Sequence, residues 1–153
     1  MMKAREGKEN KSQDEKRLRA LIEEWLDSVR KKDVDRAVSH YATNVVLFDL
    51  APPLKSIGPQ AYRKDLEEWF STFKGPIGYD LHDLQITVGG DVALAHSINH
   101  MTGARTNGEQ SDVWVRVTVG FQKIDGDWQV IHEHVSVPFY MDGSYKAAID
   151  LKP

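Results

Sequence analysis

Four side chains carry most of the chemistry this chain can do: Asp49 and, in the run HEHVSVPF, His132, Glu133 and His134. The two histidines stand two residues apart. On a strand that spacing turns both imidazoles to one face, where they can bind a metal or pack at an interface, and turns Glu133 to the other. Asp49 follows the β-branched and aromatic run NVVLF and precedes the loop APPLKSIGP, so it stands where a strand ends. Two carboxylates whose surroundings separate their pKa values can work as acid and base. Each group also has a plainer role: a turn aspartate, a hydrogen-bonded buried glutamate, a pair of interface imidazoles. The elements that aim them decide between these.

The 153 residues, 41% of them hydrophobic, suffice for one domain with a single core. A formal charge of −3 argues against a nucleic-acid partner. Cysteine is absent, which excludes disulfides, thiolate nucleophiles and cysteine-ligated zinc. No run reaches membrane-spanning length, and the basic opening lacks the apolar stretch of a secretory signal. A cytoplasmic protein with no membrane partner is the expectation. Residues 1–17 read as a polar tail, flexible or helix-extending, and 18–153 as one domain.

Ser12 and Glu15 form a capping-box pattern. Beyond them Leu18, Leu21, Ile22, Trp25, Leu26 and Val29 recur at helical spacing to about Lys31. Asp33 can cap a short second helix, and Pro59 suits the start of a third. That third helix carries the stripe Tyr62, Leu66, Trp69, Phe70 and Phe73. From Tyr79 onward four long strands are divided by GGD, a polar loop around RTNGEQ, and IDGD. Helices followed by an antiparallel meander make an α+β fold, with one sheet face under the helices.

Parity then sorts the strand residues. Val113, Val115, Val117, Val119 and Phe121 form an apolar column, the face expected under the helices. On the last strand the same logic puts Ile131, Glu133 and Val135 inside, and Trp128, Val130, His132 and His134 outside. Ala93, Ala95, Ser97 and Asn99 are small for a covered face, which leaves room for a cavity. The outer face gathers Trp114, Arg116, His132 and His134, with His96 and His100 on a neighbouring column. It is too aromatic to sit comfortably in water and reads as a subunit interface, giving a homodimer. A metal site would need a third ligand and a supporting shell, and no metal or other cofactor is expected. A β-bulge would reverse these faces locally.

The run HYATNVVLFDLAPPLKSIGPQAYRKDLEEW, then DVALAHSINH and DGDWQVIHEHVS, resembles the SnoaL-like and ketosteroid-isomerase-like members of the nuclear transport factor 2 superfamily. The C-terminal run also resembles the association domain of calcium/calmodulin-dependent protein kinase. The likeness covers Leu18 to Ser136. It implies a cone-shaped, curved antiparallel sheet wrapped on three helices, a deep pocket and usually a dimer. It points Asn99, Val117, Glu133 and Val135 inward, into a pocket walled also by Trp25, Tyr41, Tyr62, Trp69 and Phe70. Asp49 matches the isomerase general base, whose pKa an apolar pocket would raise. The rest of that machinery departs from the pattern. Trp25 stands at the oxyanion tyrosine, and Val117 (or Thr118) at the second donor. Tyr41 matches one supporting tyrosine, while Leu66 replaces the other. Steroid isomerisation is not expected. Two readings stay open. One is a cofactor-independent isomerase, cyclase or dehydratase using Asp49 and Glu133 on a mainly apolar carbonyl compound. The other is a non-catalytic binding or association module.

Overall fold

The apolar stripe of the first helix has a core to meet. Leu18, Leu21, Leu26 and Val29 of α1 (Met2–Arg30) are all buried, each contributing about 1.5–3 kcal/mol through the apolar surface it removes from water. The computed structural model describes residues 2–153. Residues 2–13 are exposed along their whole length, yet helical. The polar N-terminal segment therefore extends α1, and Ser12 and Glu15 lie inside the helix instead of capping it. Asp14 anchors this extension. It accepts from Trp128 Nε1 at 3.0 Å and pairs with Lys123 at 2.9 Å.

Asp33 caps α2 (Val34–Ala37) as its position suggested, its side chain accepting from the Arg36 N–H. The strand β1 (Tyr41–Phe48) leads into the Pro-rich loop, which contains a two-residue strand, β2 (Ser56–Ile57). Pro59 opens α3 (Pro59–Ser71), and β3 (Gly78–Gly89), β4 (Val92–Ala104), β5 (Gln110–Ile124) and β6 (Asp127–Ser136) follow. The six strands form one curved sheet in the order β2-β1-β6-β5-β4-β3. All neighbours are antiparallel except β1 and β6, which run parallel because the chain crosses from one sheet edge to the other through α3.

Two bulges decide the faces. In β6 the register shifts between the Gly120–His132 and Phe121–Val130 pairs, leaving Ile131 as the extra residue. Alternation therefore restarts there. Val130 and Trp128 turn inward on one side of the bulge, and Glu133 turns inward on the other. This corrects the strict alternation that placed Trp128 and Val130 on the outer face. Both are buried core residues, at 3% and 6% exposure. In β3 the register shifts between His82 and Gln85, where Asp83 has φ of 55°, so Tyr79 and Leu81 before it share a face with Leu84, Ile86 and Val88 after it.

Candidate functional site

Small side chains at the centre of β4 and large ones on α1 and α3 leave space between helices and sheet. Two cavities lie there among the described residues. The larger, about 350 Å³, opens beside the loop after β1 and lies between α3, Trp25 of α1 and Glu133 and Val135 of β6. The smaller, about 60 Å³, lies against Ala95, Ser97, Asn99 and Val117. Trp25 and Glu133 border both, so they stand at the partition.

Glu133 is 94% removed from solvent and held from one side by a hydroxyl chain. Tyr41 Oη donates to Glu133 Oε2 at 3.0 Å, the Tyr41 and Tyr62 hydroxyls are 3.2 Å apart, and Trp25 Nε1 donates to Tyr62 Oη at 3.1 Å. Tyr41 has a single proton. Once that proton is given to Glu133, the Tyr62 proton must span the gap between the hydroxyls. The indole N–H can only donate, so it fixes the direction of the chain toward the carboxylate. Leu66 stands at the expected second tyrosine, but Tyr62, one turn earlier on α3, supplies that hydroxyl instead.

Burial, together with the charge of Asp49, pushes the Glu133 carboxyl from its ordinary 4.5 up to about 7, against the opposing hydrogen bond from Tyr41. Burial and the Glu133 charge hold Tyr41 and Tyr62 well above the usual tyrosine range, so both remain donors. Glu133 Oε1 has no hydrogen-bond partner among the described residues. No described side-chain oxygen is both sealed and unpartnered, so Oε1 opens onto cavity space. With Oε2 occupied by Tyr41, the proton of neutral Glu133 belongs on Oε1.

Asp49 differs from the expected dry base. It lies one residue past β1, exposed at the rim of the larger cavity, where its Oδ1 accepts from the Leu50 N–H at 2.7 Å. The low-dielectric setting that would raise a carboxylate's pKa belongs to Glu133. Tyr62, Trp69 and Val135 line the larger cavity; Tyr41, Asn99 and Val117 line the smaller. Phe70 lines neither and packs in the core. Asn99 is committed within its own wall, accepting from Ser97 Oγ at 2.6 Å and donating to Tyr79 Oη at 3.0 Å.

Sequence reasoning missed two acids. Asp65 and Glu68 of α3 join Asp49 at the larger cavity. Burial, then the charges of Asp49 and Glu68, raises the Asp65 carboxyl against a smaller opposing effect of Lys64. The signal was present, because Asp65 falls three residues after Tyr62 and four before Trp69, inside the stripe that faces the sheet.

On the outer face Trp114 is half-buried between imidazoles, stacked on His100 at 4.1 Å and tilted against His82 at 4.8 Å. Arg116 and His134 are exposed. His132 is half-buried, with Nδ1 2.7 Å from the Val46 carbonyl, and Phe48 packs edge-on against both His132 and His134. Among the described residues no three His, Asp or Glu side chains converge as a metal cage.

Known proteins share this architecture. A protein of unknown function from Pseudomonas putida, described as nuclear transport factor 2-like, is 37% identical, covers 93% of this chain and 98% of its own, and superposes with a TM-score of 0.84. A candidate dehydratase of the same superfamily from Streptomyces avermitilis is 15% identical over 82% of this chain and 97% of its own, with a TM-score of 0.72. A candidate calcium/calmodulin dependent protein kinase II association domain from Xanthomonas campestris is 21% identical over 78% and 84%, with a TM-score of 0.68. No curated protein matches. The model of the SnoaL-like domain matches residues 18–140, which take in the whole sheet, α2, α3 and the C-terminal part of α1, and the chain belongs to that family.

Proposed function

We propose that this chain is a cofactor-independent acid–base enzyme of the isomerase, cyclase or dehydratase type, acting on a small, mainly apolar carbonyl compound in the larger cavity. The observation that carries the reading is the placement of Glu133: a buried carboxyl on the cavity wall, held at one oxygen by Tyr41 and open at the other. Protonated, it presents Oε1–H to a ligand oxygen. Ionised, it can take a proton from a carbon beside a carbonyl while the hydroxyl chain stabilises the carboxylate. A group that titrates near neutrality suits both roles. Asp49 is the second carboxylate of the pair. It works from the rim, through its charge on Glu133 and by contact with the exposed end of the ligand. The candidate dehydratase from Streptomyces avermitilis supports the reaction class. Oxyanion chemistry of the steroid-isomerase kind lacks support, because of the two candidates for the second donor position Val117 offers no hydrogen bond and Thr118 is exposed on β5.

Proton transfer can be read without knowing the physiological substrate. Cyclic and aryl ketones incubated in deuterated buffer should exchange the hydrogens next to the carbonyl, followed by NMR. Glu133→Gln should slow exchange by about 100-fold or more, the usual range for losing a general acid–base group. Exchange at equal rates in both proteins would overturn the assignment and leave a binding module. The exposed Val92, Leu94 and Phe48 and the imidazole–indole stack of the outer face support the further proposal of a homodimer through that face.

A further inference from the structure

We propose that the ligand of the larger cavity is an organic cation, a ring-bearing molecule whose protonated amine sits among Asp49, Asp65 and Glu68 at the mouth. This rests on the cavity being a ligand site and adds the charge its ligand carries. Four carboxylates line that space, counting Glu133, and no lysine or arginine does. Among the described residues, none of the three at the mouth makes an ion pair; Arg63 on the same helix is committed to Asp35 and Glu67. Three like charges left unpaired around an opening are mutually unfavourable unless a cation joins them. Deeper in, Glu133, nine-tenths buried, lines the same space and has one carboxyl oxygen with no hydrogen-bond partner among the described residues. This second observation is independent of the mouth.

The walls favour an organic cation over a metal ion. Trp25 and Trp69 line the cavity, and indole rings attract a cation bound to carbon. The carboxylates do not converge as a set of metal ligands. A carboxylate or phosphate ligand would meet four acids and no base. An amine at the mouth leaves the ring against the indoles and its inner end at Glu133 Oε1, where the proposed proton transfer takes place.

The test uses two matched series on the full chain: tryptamine, tryptophol and indole-3-propionate, then phenethylamine, 2-phenylethanol and 3-phenylpropionate. Calorimetric titration should rank amine over alcohol over acid in both, with the amine about tenfold tighter than the alcohol, a ratio within reach of one desolvated cation–π and carboxylate contact. Added salt should shrink the ratio. Asp65→Asn with Glu68→Gln should bring it close to one. Glu68→Gln alone, at an exposed position, keeps the test if the double variant does not fold. An alcohol that binds as tightly as its amine, or a preference that survives loss of both acids, overturns the proposal. If the preference fails while Glu133-dependent ketone exchange persists, the cation inference falls alone. If no member of either series binds, the ligand site falls with it.

Discussion

At the scale of single residues, Glu133 determines how the protein should respond to pH. Its folded value of about 7 lies above its ordinary 4.5, so the folded state holds a proton that the unfolded chain has released. That contribution to stability is complete below about pH 4.5 and is lost as pH rises through about 7, on the order of 3 kcal/mol at most. Chemical denaturation of the native protein should therefore show stability falling across that window. In Glu133→Gln, which keeps the contact to Tyr41, the slope should be absent; an unchanged slope would mean that another group is responsible. Tyr41→Phe removes the bond that favours the ionised form and should move the midpoint higher. The other groups near Glu133 are Asp49 at the rim, Tyr62 and Tyr79, and, along the smaller cavity, Arg36 and His40, already held by Asp27 and Glu24. Strand parity alone located Glu133. It could not show that Asp49 is wet, because exposure depends on how the Pro-rich loop folds, nor that Tyr62 would replace a hydroxyl missing at Leu66.

At the scale of elements, periodicity located the helices and strands well, since each buries one regular face. It failed at Trp128 and Val130 because one extra residue, Ile131, inverts the alternation, and nothing in the composition of that strand marks a bulge. The N-terminal half of α1 was equally hard to read. Its residues are good helix formers with nothing to bury, and what ties it down is a distant pair of contacts from Asp14. Removing residues 1–11 should change stability by less than about 0.5 kcal/mol, as for other exposed sites. Asp14→Ala should cost about 1–2 kcal/mol, because it strips the acceptor from the buried Trp128 N–H. Equal melting of Asp14→Ala and the native chain would show the extension to be unanchored. Gly103 of β4 has φ of 153°, and a Cβ there would stand 2.8 Å from the Phe73 ring. Gly103→Ala should therefore destabilise by about 2 kcal/mol or more in the same assay.

At the scale of the whole molecule, the sheet has a helix-covered face around the cavities and an outer face whose aromatics pack largely on one another, with His132 also bonded to the Val46 carbonyl and His100 to Asp112. Light scattering at micromolar concentration should give about twice the 17.4 kDa chain mass. Trp114→Glu should reduce this to one chain mass without unfolding it; a native protein already at one chain mass would remove the interface. The α+β class was legible because the amphipathic helices end by Ser71 and only long strands follow from Gly78. The parallel pairing of β1 with β6 was not, since it joins residues far apart in the chain through contacts that no local pattern records.

The kink at Asp83 has a consequence for how copies of this molecule meet one another. Among the described residues β3 borders the sheet with no strand beyond it, and along its twelve residues the peptide groups that face away from β4 have no strand partner. A flat border of that length invites the border strand of a neighbouring copy and, from there, uncontrolled fibre growth. The left-handed residue breaks the row in two, and Arg30 occupies the Tyr79 carbonyl with two donors, at 3.0 and 2.7 Å. With Asp80, His82, Asp83, Gln85 and Thr87 turned outward, the border is uneven, wet and partly capped. The bulge that realigns the inner face thus also discourages intermolecular strand addition along the open side of the sheet.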